Sequence, residues 1–125
     1  MTQPSNLEIV KQIEQDLKEG NLSAILEFLA EDVVWIVPGS TDYPFKGEYH
    51  GRNKLKEVFE LAGKIIDMKE SEATDYISLD DKNQVLVFGN ERGSLKPGGN
   101  AFKHNWVEVF TLRDGKVVRL HSYID

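Results

Sequence analysis

Asn105-Trp-Val-Glu-Val-Phe-Thr-Leu-Arg-Asp-Gly-Lys-Val-Val-Arg-Leu-His-Ser-Tyr-Ile-Asp125 is the segment of this 125-residue chain that carries the clearest structural signal. It holds two apolar stretches separated by Asp114-Gly115, and an Asp-Gly pair between alternating stretches is the strongest short-range indication of a β-hairpin. One acid, Glu108, stands among the hydrophobic residues of the first strand. Because an ionised carboxylate is costly to bury without a partner, the direction in which Glu108 points bears on function.

The length of the hairpin loop decides which residues share a face with Glu108. A two-residue Asp114-Gly115 loop would place Glu108 opposite His121. A three-residue loop over 113–115 would place it opposite Leu120. We favour the three-residue loop, because it gathers the apolar residues of both strands on one inner face. The other face of the hairpin, which we call the outer face, then carries Val107, Val109, Arg119, His121 and Tyr123.

The remainder of the chain predicts helices first and strands later. Ser5-Asn-Leu-Glu8 has the form of a capping box, so a helix is expected from Asn6 to Gly20. A second helix is expected after Asn21 and a third after Gly51. The other predicted elements are a strand at 33–37, a long loop at 38–51, a strand within 65–79, a strand at 84–95 and a turn at 96–100. This order is typical of an α+β domain with helices on one face of a mostly antiparallel sheet.

Composition restricts the chemistry. The length fits one domain, and the absence of cysteine excludes thiol catalysis, disulfides and Cys-ligated zinc. His50, His104 and His121 lack the short spacing of a metal motif, so we expect no metal and no cofactor. The net charge of −6 argues against binding of nucleic acid or anionic membranes. No membrane-span-length apolar run and no secretory signal are visible, so a cytoplasmic protein is expected.

The chain resembles the nuclear-transport-factor-two-like superfamily and, within it, the branch of SnoaL-like polyketide cyclases and ketosteroid isomerases. The resemblance rests on Gly20-Asn-Leu-Ser-Ala-Ile-Leu-Glu-Phe-Leu-Ala-Glu-Asp-Val-Val-Trp35, on Tyr49-His-Gly51, and on Asp114-Gly-Lys-Val-Val-Arg119 with Tyr123 and Asp125. It implies a single SnoaL-like domain over 1–125. It also implies a cone-shaped α+β barrel, in which three helices from the N-terminal half pack on a strongly curved sheet. A small hydrophobic ligand in the cone and a homodimer are further implications.

The same resemblance implies that most known catalytic groups of the branch are replaced here. Ketosteroid isomerases use an Asp base, a Tyr and a protonated Asp, and the matching positions are Val37, Ile13 and Glu108. SnoaL-type cyclases and limonene-epoxide hydrolases place an Asp in the last strand, where this chain has Ser122. The hydrolase arginine matches Arg92. Steroid isomerisation by the known mechanism is therefore not expected.

We expect a cone-shaped pocket with Glu108 as the catalytic candidate, an acid–base group whose pKa burial would raise. Pairing of Glu108 with Arg92, His104 or buried water is the alternative. Whether Asn90 and Arg92 or Glu91 face the pocket is left open by the sequence. The residues expected to line the pocket are Ile13, Leu17, Trp35, Val37, Phe59, Arg92, Trp106, Phe110, Leu120, Ser122 and Ile124.

Two functions fit these predictions. The first is an isomerase- or cyclase-type acid–base enzyme acting on a small hydrophobic, oxygenated molecule. The second is a non-catalytic binding or carrier protein that uses the same pocket. The outer face of the hairpin mixes apolar and polar residues, as interfaces do, so we expect a homodimer through it.

Overall fold

The structure, a computed structural model, describes residues 4–38, 45–96 and 98–124. Its elements are α1 (Asn6–Glu19), α2 (Leu22–Glu27), β1 (Leu29–Val37), β2 (Gly47–His50), α3 (Arg52–Ile65), β3 (Ile66–Leu79), β4 (Gln84–Leu95), β5 (Ala101–Arg113) and β6 (Lys116–Ile124). A 3-10 turn, Asp80–Lys82, joins β3 to β4.

The six strands form one curved, unclosed sheet in the order β2-β1-β6-β5-β4-β3. Neighbouring strands are antiparallel except β1 and β6, which run parallel. The three helices pack on this sheet, so the predicted α+β fold is confirmed. The hydrophobic core lies between the helices and the sheet and includes Val10, Val33, Leu55, Val85 and Phe110.

Helix α1 begins and ends where the sequence predicts. The Ser5 side chain accepts a hydrogen bond from the Glu8 backbone N–H, and the Glu8 carboxylate accepts one from the Ser5 backbone N–H. These two bonds form the capping box that satisfies otherwise unpaired amides at the first turn. At the other end Gly20 adopts φ 72°, a left-handed conformation suited to glycine.

Three stretches differ from the sequence prediction or fall outside the described residues. Strand β1 begins at Leu29 rather than Val33. The predicted loop over 38–51 contains β2, which pairs with the end of β1, because an unpaired strand edge satisfies its backbone groups by pairing. Residues 39–44 of that loop, Pro97 of the predicted turn and Asp125 lie outside the described residues.

The β5–β6 loop has two residues, one fewer than the sequence analysis predicts. Arg113 pairs with Lys116, and the two residues between them, Asp114 and Gly115, have φ values of 51° and 77°. Two successive positive φ values define the primed turn whose twist matches that of the flanking strands. The three-residue loop is therefore wrong.

A β-bulge in β6 nevertheless sorts the side chains onto the predicted faces. Leu112 pairs with Val117 but Thr111 pairs with Arg119, so Val118 is an extra residue without an opposite partner. Val117 and Leu120 are consequently both buried, although three positions separate them. Beyond the bulge the opposite pairs on the inner face are Phe110–Leu120, Glu108–Ser122 and Trp106–Ile124.

Among the described residues, none of the helices has the length and apolar character needed to cross a membrane.

Candidate functional site

A cavity of about 760 Å³ lies between the sheet and the three helices. A volume of this size is typical of sites for small organic molecules. The wall receives side chains from α1, α2, α3, β1, β3, β4, β5 and β6, and its aromatic members are Trp35, Phe59, Tyr76, Trp106 and Phe110. The site is thus assembled from nearly every element of the fold.

Two glutamates meet in this cavity and hydrogen-bond to each other. Glu108 projects from β5 and Glu14 from α1, and both lie in the cavity wall. Burial raises the pKa of Glu108 well above its usual value, and the negative charge and hydrogen bond of Glu14 raise it further. Burial also raises the pKa of Glu14, while its hydrogen bond with Glu108 acts in the opposite direction. Burial therefore raises the pKa of both carboxyls, and the hydrogen bond between them allows the pair to share one proton.

A short hydrogen-bond chain fixes the other side of Glu108. The Trp35 indole Nε1–H donates to Ser122 Oγ over 2.9 Å, and the Ser122 hydroxyl donates to Glu108 Oε2 over a longer 3.4 Å. The Trp35 ring packs on Phe59, with ring centroids 5.2 Å apart. Because Ser122 has one proton to give, its acceptance from Trp35 leaves that proton for Glu108.

A third glutamate reaches the cavity from β4. Glu91 shares the inner face with Val85, Val87 and Gly89, which settles the orientation that the sequence left open. Burial and the nearby Glu108 charge raise the pKa of Glu91 to about 7. The pKa of Tyr76 is raised by burial and then by the charges of Glu14 and Glu108. Three carboxyl groups, those of Glu14, Glu91 and Glu108, therefore lie in the wall of one largely apolar cavity.

Two of the residues predicted to line the pocket do not reach it. Arg92 is exposed on the opposite face of β4, where its Nη2 lies 2.9 Å from Glu70 Oε1, because it follows the inward Glu91 in an alternating strand. Val37 is buried in the core but is absent from the cavity wall. It stands two residues beyond Trp35, about 6.6 Å further along β1. The ion-pair partner of Arg92 is Glu70 and not Glu108.

The other predicted pocket residues all lie in the wall, together with Glu108: Ile13, Leu17, Trp35, Phe59, Trp106, Phe110, Leu120, Ser122 and Ile124. None of the three histidines does. His50 contacts Glu48 on β2, His104 stacks on Phe102, and His121 stacks on Tyr123. Within the described ranges, no group of three or more His, Asp or Glu side chains is arranged to hold a metal ion.

Sequence reasoning missed Glu14, although a signal for it was present. Glu14 follows Val10 by four residues and precedes Leu17 by three, so it lies on the apolar face of α1. Like Glu108 among the apolar residues of β5, Glu14 is an acid among the apolar residues of a helix face, and this pattern indicates a buried carboxyl. Glu91 carried a similar signal, since Val85 and Val87 have the same parity on β4.

Fold and cavity together define a small α+β domain in which helices and a curved sheet enclose a cavity of about 760 Å³. The family model described as SnoaL-like domain matches residues 10–120, and the chain belongs to that family. No curated protein matches the chain.

Solved structures show the same fold. An NTF2-like protein from Burkholderia xenovorans LB400 is 29% identical, with a TM-score of 0.83 over 96% of this chain and 88% of that one. An NTF2-like protein of unknown function from Burkholderia pseudomallei K96243 is 22% identical, with a TM-score of 0.84 over 98% and 92%. TerC, co-crystallised with polyporic acid, is 24% identical, with a TM-score of 0.80 over 96% and 91%.

Proposed function

We propose that the protein binds a small hydrophobic, oxygenated molecule in the cavity and that Glu108 exchanges a proton with it, as in isomerase- or cyclase-type chemistry. The observation that carries this proposal is the hydrogen-bonded Glu14–Glu108 pair inside an aromatic-walled cavity. Burying two acids in contact lowers the free energy of unfolding. Acids with raised pKa values in a cavity are therefore candidates for a functional role rather than a stabilising one.

The pair combines an acid and a base in one place. Glu108, neutral because burial and Glu14 hold its pKa high, can donate a hydrogen bond or a proton to a ligand oxygen. When the pair holds one proton, the other carboxyl oxygens, including those of Glu14, can accept a proton from the ligand. Ser122 and Trp35 restrict the orientation of the Glu108 carboxyl. General acid–base catalysis by a positioned group of this kind contributes roughly 100- to 10,000-fold.

A solved structure of the same fold supports the use of the cavity by a small molecule, since TerC was co-crystallised with polyporic acid. A non-catalytic carrier is the second candidate function. It is favoured by Ser122, whose buried hydroxyl is engaged by Trp35 at a position where related cyclases are expected to have an Asp.

Glu108→Gln separates enzyme from carrier, because glutamine keeps the shape and hydrogen-bonding capacity of the side chain but has no proton to transfer. A panel of hydrophobic ketones and phenols is incubated with the protein in heavy water, and carbon-bound deuterium is followed by NMR. We expect wild-type protein to catalyse exchange in at least one compound and Glu108→Gln to lower that rate by about 100-fold or more. The affinity for the same compound should change by less than about tenfold.

Glu31→Gln is the matched control, because Glu31 is exposed on β1 and is not part of the cavity wall. Its exchange rate should equal that of the wild type. Binding without exchange would identify a carrier, and failure of every compound to bind would refute the proposed site.

We also propose that the outer face of the hairpin forms a homodimer interface through Val107, Val109, Arg119, His121 and Tyr123. Val107 pairs with Tyr123 and Val109 with His121 across β5 and β6, and Tyr123 is 47% exposed. Light scattering at micromolar concentration should give twice the mass of the chain for the wild type. Val109→Asp should give the monomer mass, because an unpaired charge in an interface core is costly. A monomeric wild type would overturn this proposal.

A further inference from the structure

The charges in the cavity wall are strongly one-sided. Three acids, Glu14, Glu91 and Glu108, line the interior, and two more, Glu60 and Glu72, are exposed members of the wall. The basic residues of the wall, as far as the structure describes it, are Lys11 and Lys18 of α1, and both are exposed. No arginine or histidine lines the cavity among the described residues. Over the part of the chain that the structure describes, no basic side chain lies in the cavity interior beside these three acids.

The Glu14–Glu108 pair lacks a positively charged partner among the described residues. When the two carboxyls share one proton, one negative charge remains in a low-dielectric space. Among the described residues, no N–H or hydroxyl group donates a hydrogen bond to the buried Oε1 atom of Glu14. Lys11 does not fill that role, since its Nζ lies over the Tyr76 ring, 5.3 Å from the centroid. Buried charges in proteins are normally paired, so both the charge and the free acceptor point to a partner that arrives with the ligand.

The apolar part of the wall suits a cation with a hydrophobic body. Trp35, Trp106, Tyr76 and Phe59 surround the same space as the acids. Aromatic faces attract ammonium groups and bury hydrocarbon equally well, and the attraction grows as water is excluded. A carboxylate or phosphate ligand would meet three acids and no interior cation, which disfavours it by like-charge repulsion.

We propose that the natural ligand is a hydrophobic amine, whose ammonium group pairs with the Glu14–Glu108 carboxyls while its apolar body lies against the tryptophans. This inference rests on the proposed function, because it names the ligand class of the same cavity. An oxygen substituent elsewhere on the molecule is compatible with it.

Three probes that share one apolar body test the inference: naphthylmethylamine, naphthylmethanol and naphthoate. Their affinities are measured by isothermal titration calorimetry at neutral pH and about 0.3 M salt, which screens attraction to the exposed acidic surface more than to the cavity. We expect the amine to bind about tenfold or more tightly than the alcohol, and the carboxylate to bind most weakly.

Charge-matched variants assign the preference to the cavity. In Glu14→Gln and in Glu108→Gln the amine-to-alcohol ratio should fall to less than about threefold. In Glu31→Gln, which removes one exposed negative charge outside the wall, the ratio should remain that of the wild type. Thermal melts establish that each variant is folded, and if a cavity variant is not, the wild-type ratio and Glu31→Gln decide the matter alone.

The outcomes separate the two proposals. If the alcohol binds as tightly as the amine, or if Glu31→Gln lowers the ratio as much as the cavity variants, the amine inference is overturned while ligand binding in the cavity stands. If neither the amine nor the alcohol binds, the amine inference is overturned, and so is the proposal that the cavity binds hydrophobic molecules of this size. A preference confined to proteins with both Glu14 and Glu108 supports it.

Discussion

Glu91→Gln is expected to stabilise the protein at alkaline pH and to flatten its dependence of stability on pH. The pKa of Glu91 is about 7 in the folded protein, against 4.5 for the ordinary side chain. A group whose pKa is raised by folding contributes its full stability below the unfolded value. That stability is lost as pH rises from 4.5 through about 7, because the unfolded chain ionises first.

The expected loss for Glu91 is roughly 2–3 kcal/mol after an allowance for its partial contact with solvent. Glu14 and Glu108 act in the same direction, since burial raises the pKa of both. The pKa values of the exposed Glu70 and the half-buried Asp67 are lowered by Arg92 and Lys69, respectively, so these two acids change stability only at pH values below the ordinary carboxyl range. Between about pH 5 and about pH 8, His104 and His121, whose pKa values are lowered by burial, act in the opposite direction, so the difference between Glu91→Gln and the wild type isolates Glu91.

Urea unfolding at the two ends of this range tests the prediction. The wild type should lose stability from about pH 5 to about pH 8, and Glu91→Gln should lose less by roughly 2 kcal/mol. Glu31→Gln, with its charge removed from an exposed site on β1, should follow the wild type. Identical pH profiles for Glu91→Gln and Glu31→Gln would show that Glu91 titrates as an ordinary carboxyl.

Gly89→Ala is expected to destabilise the fold by about 3 kcal/mol or more, because β4 has no room for a side chain at this point. A Cβ on Gly89 would lie 2.3 Å from Cζ2 of Trp106 and 2.4 Å from the backbone oxygen of Glu72. The Trp106 ring occupies the space that a side chain would need, and the Glu72 oxygen belongs to the neighbouring strand. Relief requires movement of both the ring and β3.

Gly63→Ala is the matched control for this substitution. Gly63 lies in α3, and nothing stands within 4 Å of a Cβ built there. Alanine should stabilise the helix by about 0.5–1 kcal/mol relative to glycine. The two variants should therefore shift the midpoint of urea unfolding in opposite directions. Equal midpoints would mean that the Trp106 ring can move away from a Cβ at position 89 without loss of stability.

The fold was predictable from the sequence because its signals are local. The capping box at Ser5, the left-handed Gly20 and the Asp114-Gly115 turn each act within a few residues, and all three appear in the structure. The β6 bulge was not predictable in the same way. Val117 and Val118 are both apolar, so the sequence does not reveal that only one of them occupies a regular position.

The site was only half predictable, because its central contact joins opposite ends of the chain. Glu108 is conspicuous among strand residues, and Trp35, Trp106 and Ser122 follow from alternation and from the family resemblance. Glu14 was overlooked, since a charged residue in an amphipathic helix is usually assigned to the solvent face. Its meeting with Glu108 depends on the angle at which α1 lies across the sheet, which no local pattern encodes.

The bulge residue Val118 also has a consequence for alignments of this family. Loss of Val118 would leave a regular strand in which Leu120 and Ser122 keep their partners, so a β6 shorter by one residue could enclose the same cavity. Such a relative is aligned correctly only if the gap falls at Val118. An ungapped match from the turn onward would set the outward His121 against the residue that occupies the place of Ser122, and would transfer function from the wrong face.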